Sequence, residues 1–360
     1  MSSAGTFARW AGAIAAAVAL AVPLAAASAR ADAVADFYRH RAVNLIVGFG
    51  PGGGYDIYAR LLARHIGRFI PGHPRISVQN MPGSGSLRAV DYLYRMAPKD
   101  GGTIGLFSRN MPLVGLFGGA GVGFDPRKFT WLGSSSSFEN DANLLVVRKD
   151  APVKSIEEAV RGDLAPLVLG SIAEGGGGSD VPIILRDTIG LHLKQVVGYP
   201  DSAATFDAVE RGEVNGRTVD LSLLRSVKPD WLRMDGNYRV LVQFARATRH
   251  HDFPDVPTAR ELAKNDEMRA LIELAELPYT LSRPFAAPPG VPTRRAQALE
   301  RAFLAVHRDP QYLAEAGSLK LDVSPIGGEE ILRAIDRIAG ASPELQEYVR
   351  KLLAETKGGG

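Results

Sequence analysis

The stretch VNLIVGFGPGGGYDIYAR, residues 43–60, restricts the possible folds of this 360-residue chain more than any other. It opens as a short apolar run rich in β-branched residues, breaks at glycines, and continues as a helix. Tyr58, Leu61, Leu62, Ile66 and Phe69 share one face of that helix, while Arg60, Arg64 and Arg68 step by four along the other. An amphipathic helix over about 55–69 is the expectation. ISVQN (76–80), SLRAVDYLYRM (86–96) and GTIGLF (102–107) then predict strand, helix and strand. This βαβαβ order is the pattern of a mostly parallel sheet covered by helices.

The alternation lapses in the glycine-rich stretch 115–124, read as a loop, and then begins again. NLLVVRKDAP (143–152) is strand-like, and Ser155 caps a helix with Glu158 at the capping-box position. PLVLGS (166–171) runs into a second glycine loop, IAEGGGGSD (172–180), and a helix from Val181. LKQVVGY, SAATFDAVERG and EVNGRTVDL complete a second series, and YRVLVQF (238–244) adds a strand. The tail from 267 reads as mainly helical, with a strand in RPFAAPPGVP (283–292) between the helices 267–277 and 293–307. Two such series with returning helices predict two lobes and a cleft: 32–133 together with 245–360, and 134–244.

Residues 1–31 stand outside this scheme. Arg9 is the only charge ahead of an Ala/Val/Leu run from Ala11 to Ala27, and ASARADA places Ala29 and Ala31 before Asp32. That pattern is a secretory signal peptide, removed on export. No other stretch approaches the roughly 20 apolar residues of a membrane span. There is no cysteine to carry a lipid or a disulfide, so the mature protein is expected to float free outside the cytoplasm. A composition 46% hydrophobic and 22% charged supports a large core without such staples. Without Arg9 and Arg30 the formal charge falls from +3 to +1, and the cations are scattered, so no nucleic-acid partner is expected.

Gly48, Gly50 and Gly53 have the G-x-G-x-x-G spacing of a dinucleotide-binding turn. Such a site needs an acid at the end of the second strand for the ribose hydroxyls. Gln79 and Asn80 stand there instead, and an exported chain meets little nicotinamide cofactor, so no cofactor is expected. Two readings of the loop remain. One is a tight turn with no ligand. The other is an anion seat, because unpaired N–H groups and partial positive charge collect at a helix N-terminus. The second loop repeats the device in the other series and favours the anion seat. Asp56 is expected to pin the first loop, beside a further N–H-rich turn at QNMPGSGS (79–86).

VGFGPGGGYDIYARLLARHI, followed by ISVQNMPGSGSLRAVDYLYRMAPKDGGTIGLF, resembles the N-terminal part of periplasmic solute-binding proteins of the tripartite tricarboxylate transporter (Bug) family. The likeness rests on Pro51, Gly52, Gly53, Asp56, Ala59 and Arg60, then Asn80, Pro82, Gly83 and Gly85, then Pro98, Asp100, Gly101 and Thr103. VVGYPDSAATFDAVERGEVNGRTVDL, FPDVPTARELAKN and FAAPPGVP extend it, so that it runs from Val43 to Ala341. It implies a two-lobed type II periplasmic-binding-protein fold of the α/β class. It also implies a small organic acid in the cleft, delivery to the membrane subunits of a tripartite transporter, and a monomer that is not an enzyme. The family's carboxylate seat maps onto Pro51–Asp56 and Gly176–Ser179, acting through main-chain N–H groups and water. The ligand-binding candidates in the first series are Phe49, Pro51, Gly52, Gly53, Gly54, Tyr55, Asp56, Asn80 and Ser108. Ser135, Gly176, Gly177, Gly178, Ser179, Tyr199, Arg217 and Asp220 are those that follow.

Three departures bear on the ligand. Tyr55 stands where Thr or Ser is usual, Asp180 and Val181 where a histidine often follows the second loop, and Asn215-Gly216-Arg217 after Val214 in place of V-D. Either Tyr55 and Arg217 shape a pocket for a larger or aromatic acid, or Tyr55 packs on the loop and Arg217 forms an inter-lobe salt bridge. A sensory protein presenting its ligand to a membrane kinase fits the same signature. A secreted hydrolase with a base near Asp180 or Asp220 is the other alternative, though no G-x-S-x-G elbow supplies its nucleophile. In His250-His251-Asp252 adjacent side chains are expected to point apart, so no metal is expected.

Overall fold

The computed structural model describes residues 33–118, 122–172 and 179–355. The expected signal peptide and Gly176, Gly177 and Gly178 of the second loop lie outside the described residues. The chain runs through α1 (residues 33–39), β1 (Val43–Val47), α2 (Gly54–His65), β2 (Ile76–Asn80), α3 (Leu87–Asp91), β3 (Thr103–Leu106), α4 (Met111–Phe117) and β4 (Thr130–Ser134). It continues through β5 (Asn143–Arg148), α5 (Ile156–Arg161), β6 (Leu167–Ile172), α6 (Asp180–Ile189), β7 (Leu193–Tyr199), α7 (Ser202–Glu210), β8 (Gly216–Asp220), α8 (Leu221–Val227) and β9 (Tyr238–Phe244). It ends with α9 (Asp266–Glu276), β10 (Pro284–Ala287), α10 (Thr293–Val306), α11 (Pro310–Ser318), β11 (Ile326–Gly327), α12 (Gly328–Ala339) and α13 (Pro343–Glu355).

Two sheets result, giving the two-lobed α/β architecture expected. The first has the order β11-β4-β10-β3-β1-β2, with β1 parallel to β2 and β3. β10 enters it from the distant C-terminal part of the chain, antiparallel to both β3 and β4. The second has the order β7-β6-β8-β5-β9, with β6 parallel to β7 and β8, and β5 antiparallel to β8 and β9. The sheets are therefore more mixed than the βαβ reading suggested. Each contains strands that return from a distant part of the chain, a pairing that no local pattern encodes.

Burial docks the elements. Tyr58, Leu61 and Leu62 of α2 are fully buried with Leu45 and Val47 of β1, Phe303 of α10 and Tyr312 of α11. Full burial of each such leucine is worth about 1.5–3 kcal/mol. The basic face pairs outward, Arg64 to Glu315 at 2.6 Å and Arg68 to Asp309 at 3.0 Å, where solvent screens the attraction. The second core gathers Leu145, Val147, Leu169, Ile184 and Val242, and Ala259 and Ile272 join it. Residues 259–272 thus cover the second sheet, although sequence grouped them with the first lobe. α13 touches both halves: Val349 packs with Leu113 and Leu274, and the Tyr348 hydroxyl donates to Asp187 at 3.0 Å.

The stretch read as a loop from 115 begins inside α4, whose Leu113 and Val114 are buried. Gly115 disguised that helix. A Cβ there would lie 2.6 Å from the Phe124 ring, so the glycine serves close packing rather than a turn. No helix among the described residues is long and apolar enough to cross a membrane.

Candidate functional site

The parallel strands of both sheets aim their carboxyl ends at one cleft, where open α/β sheets hold ligands. Phe49, Gly50, Gly53, Gly54 and Tyr55 follow β1, and Arg109 follows β3. From the other side come Ile172 at the end of β6, Pro200–Ser202 after β7, and Arg217–Asp220 on β8. The antiparallel strands reach the same edge through their starts. Asn143 opens β5 opposite Asp220, and Arg283 precedes β10. The cleft encloses about 720 Å³ including its open mouth.

The first glycine loop is braced from behind. Asp56 is buried, and its carboxylate accepts from Gly52 N–H at 2.9 Å, Arg60 Nε at 2.8 Å and Asn80 Nδ2 at 2.8 Å. Burial works against the Asp56 charge, but these bonds from Arg60, Asn80 and Gly52 outweigh it and hold the carboxyl below its usual range. Asn80 also donates to the Phe49 carbonyl at 2.8 Å. Asp56 therefore pins the loop, as expected, and does not line the cleft. Gly52 takes φ +80°, which suits glycine. Gly48, the first glycine of the apparent cofactor spacing, meets Ser86: a Cβ there would sit 1.8 Å from its Oγ. α2 starts at the N-cap Gly53 with no side chain capping it. Gly54 and Tyr55 of its first turn line the cleft, and the N–H groups of a first helical turn have no partner within the helix and carry the positive end of its dipole.

Three buried guanidiniums surround this opening: Arg283, Arg109 and Arg217 are 2%, 3% and 4% exposed. Asp220 receives Arg283 Nη2 at 2.7 Å, Arg109 Nη1 at 3.2 Å and Asn143 Nδ2 at 2.8 Å. Burial alone would raise the Asp220 pKa, yet Arg109 and Arg283 drive it well below the carboxylate range. Burial likewise opposes the Arg109 and Arg283 charges, and Asp220 more than restores them. Arg217 differs. Its Nη1 donates to Ser202 O at 3.0 Å, and its guanidinium lies 4.4 Å from the Phe206 ring centroid. Burial pulls its pKa down to about 10, and Asp220 offsets this only in part.

Tyr55 stacks on Phe49, with ring centroids 4.3 Å apart, and its hydroxyl accepts from Arg109 N–H at 3.0 Å. It thus builds one cleft wall and fixes the segment carrying Arg109. Phe49, Gly53, Gly54, Tyr55, Arg217 and Asp220 line the cleft together. Pro51, Gly52, Asp56, Asn80, Ser108, Ser135, Ser179 and Tyr199 do not. Ser108 is buried behind the wall, where its N–H donates to Ser86 Oγ at 3.1 Å. Ser179 is buried beside Asp180, to which its hydroxyl donates at 3.1 Å. Tyr199 ends β7 next to Pro200, a cleft residue. Sequence reasoning passed over Arg109, Asn143 and Arg283. Each lies in an unremarkable local context, and only strand pairing carries them to Asp220.

Ser135 sits in a buried cluster instead. His307 Nδ1 faces the Phe303 carbonyl at 2.7 Å, so Nδ1 carries the proton and Nε2 accepts from Ser135 Oγ at 2.8 Å. Burial pushes the His307 pKa down to about 4. This neutral histidine contributes stability above its unfolded value of about 6.5, and the contribution is lost as pH falls through 4. Between pH 7 and 4, His307→Gln is expected to lose less stability than the parent protein, by about 3 kcal/mol. Urea melts at a series of pH values measure this; parallel curves would show that His307 does not titrate as assigned.

The His250-His251-Asp252 side chains do not point apart as expected. One possible ligand atom from each lies within 4.8 Å of the others. The two rings, however, stack at 4.2 Å with 28° between planes, and Asp252 pairs with Arg225. Near-parallel rings cannot aim in-plane lone pairs at one ion. His250 Nδ1 already accepts from Asp252 N–H at 3.1 Å.

Residues 59–333 match the family model described as the tripartite tricarboxylate transporter family receptor. The chain belongs to this family. The receptor is 24% identical over 329 residues to a UPF0065 protein of Bordetella pertussis, covering 87% of this chain and 91% of that one. Among solved structures it is similar to the periplasmic binding protein BugD, with a TM-score of 0.68 and 19% identity over 88% of this chain and 98% of that one. It is equally similar in fold to Rpa4515 of R. palustris, solved with adipate, with a TM-score of 0.68 and 22% identity over 88% and 98%. Family membership makes the chain a solute-binding receptor. The cleft between the sheets is where such a receptor has room for its solute.

Proposed function

We propose that this receptor is a periplasmic protein that captures a small organic acid and delivers it to the membrane subunits of a tripartite tricarboxylate-type transporter. One observation carries the reading: the uncapped N-terminus of α2 opens on a cleft that also holds three buried guanidiniums. Helix N–H groups and arginines favour a carboxylate and offer nothing specific to a neutral sugar. Apolar walls from Phe49, Ile172, Val219 and Leu223 suit the body of such an acid. The adipate found with Rpa4515 agrees with this ligand class. The receptor is taken to act as a monomer, exported by residues 1–31. Its lobes are taken to divide near 133/134 and 244/245, with α9 crossing over to cover the second sheet.

A thermal-shift screen of mono-, di- and tricarboxylates, aromatic acids, sugars and amino acids tests this. A ligand at 100 times its Kd adds about 2.7 kcal/mol of stability. Acids are expected to raise Tm where sugars do not. Stabilisation by sugars with none by any acid would overturn the proposal.

A further inference from the structure

Among the described residues, Arg217 is the cleft arginine without an ion-pair partner. Arg109 and Arg283 share Asp220, whereas no carboxylate among the described residues lies within ion-pair distance of Arg217. Its partners among the described residues are two carbonyls, Ser202 O at 3.0 Å and Thr218 O at 3.4 Å, the latter long for a hydrogen bond. Among the described residues Nη2 has no hydrogen-bond partner, and Arg217 lines the cleft. A buried guanidinium without a counterion is costly, and removing that cost is a strong source of affinity for an anion. Phe206 supports one face of the guanidinium, which limits where the anion can approach.

Arg217 stands on β8 of the second sheet, while the open N-terminus of α2 belongs to the first. Apolar Ile172, Val219, Leu223 and Phe49 line the same cleft. From this juxtaposition we infer that Arg217 is a specificity-determining residue for an acid with two anionic ends. One carboxylate rests on the α2 N–H groups, the other on Arg217 Nη2, and an apolar spacer lies along the walls. A monoacid satisfies the helix and leaves Arg217 uncompensated. The inference rests on the carboxylate reading of the cleft and adds to it a discrimination by ligand charge.

Calorimetric titration with linear diacids from glutarate to suberate, each beside its monomethyl ester, isolates one charge at constant shape. The intact receptor is expected to bind its best diacid at least 30-fold tighter than the matching monoester. Arg217→Gln should bring the diacid down to the monoester's affinity and leave the monoester within threefold, and Arg217→Lys should recover part of the preference. Equal affinity of the intact receptor for diacid and monoester would overturn the inference, a comparison that needs no variant to fold. So would an Arg217→Gln variant that weakens both by the same factor. If no diacid and no monoester binds while aromatic or tricarboxylic acids do, the two-ended assignment fails and the carboxylate reading survives. If no acid of any kind binds, both fail.

Discussion

Replacing Asp220 by alanine is expected to lower the Tm of the ligand-free receptor by about 6 °C. Two buried guanidiniums, Arg109 and Arg283, lose the carboxylate they share. Breaking a buried ion pair by deleting one partner costs about 3–5 kcal/mol, because the remaining charge stays desolvated. For a chain of this size each kcal/mol moves Tm by roughly 1.5 °C. The loss should be larger than for the exposed pairs Arg64–Glu315 or Arg68–Asp309, where water takes over from the missing partner. Asp220→Asn should fall between, since an amide oxygen still accepts from one arginine. Tens of millimolar acetate should return part of the lost Tm to the alanine variant by filling the vacated place. A Tm within 2 °C of the parent protein would show that Asp220 does not hold the cleft together. Because Asp220 stands on the second sheet and both arginines on segments of the first, the same contact ties the two lobes.

The second large effect is on ligand affinity. Gly53→Val is expected to weaken carboxylate binding about 100-fold while the fold persists. Gly53 has φ −80° and ψ 169°, a conformation valine adopts readily. A Cβ at this position would meet only Gly50 O, at 3.9 Å. The fold therefore accepts the side chain, at a cost of about 1 kcal/mol for a poor N-cap residue. The ligand does not, because the new methyl groups stand over the N–H groups of the first helical turn. Losing two hydrogen bonds to a charged group, at about 1.5 kcal/mol each, corresponds to 100-fold in Kd. Calorimetry with the best acid from the screen measures it, with circular dichroism as the folding control. Unchanged affinity would remove the α2 terminus from the binding site.

Local chemistry made a large part of this receptor legible. Hydrophobic periodicity located β1, α2, β2 and β3, because a strand followed by an amphipathic helix has a pattern that nothing else imitates. Gly53 and Gly54 pointed to an open helix terminus, and the missing acid after β2 turned the loop away from a dinucleotide. Asp56 announced its bracing role through its place in the first helical turn. The motifs together pointed to the family. Other features were hidden by small residues: Gly115 inside α4 suppressed a helix, because its reason lies in the Phe124 ring. Serines invited a cleft role by composition alone, yet Ser135 belongs to His307 and Ser108 to Ser86.

The sequence by itself determined the alternation of elements, the family and the anion-friendly loop, all of which depend on residues close together in the chain. Tertiary structure alone decided the charge of the cleft. Arg109, Asp220 and Arg283 are separated by 111 and 63 residues. They meet because β10 inserts antiparallel beside β3 and β8 pairs with β5, bringing distant strand ends to one edge. A hydrogen-bonded ion pair needs its charges within about 4 Å, so which cation is paired is a property of packing. That packing pairs Asp220 with Arg109 and Arg283 and leaves Arg217 without an ion pair among the described residues.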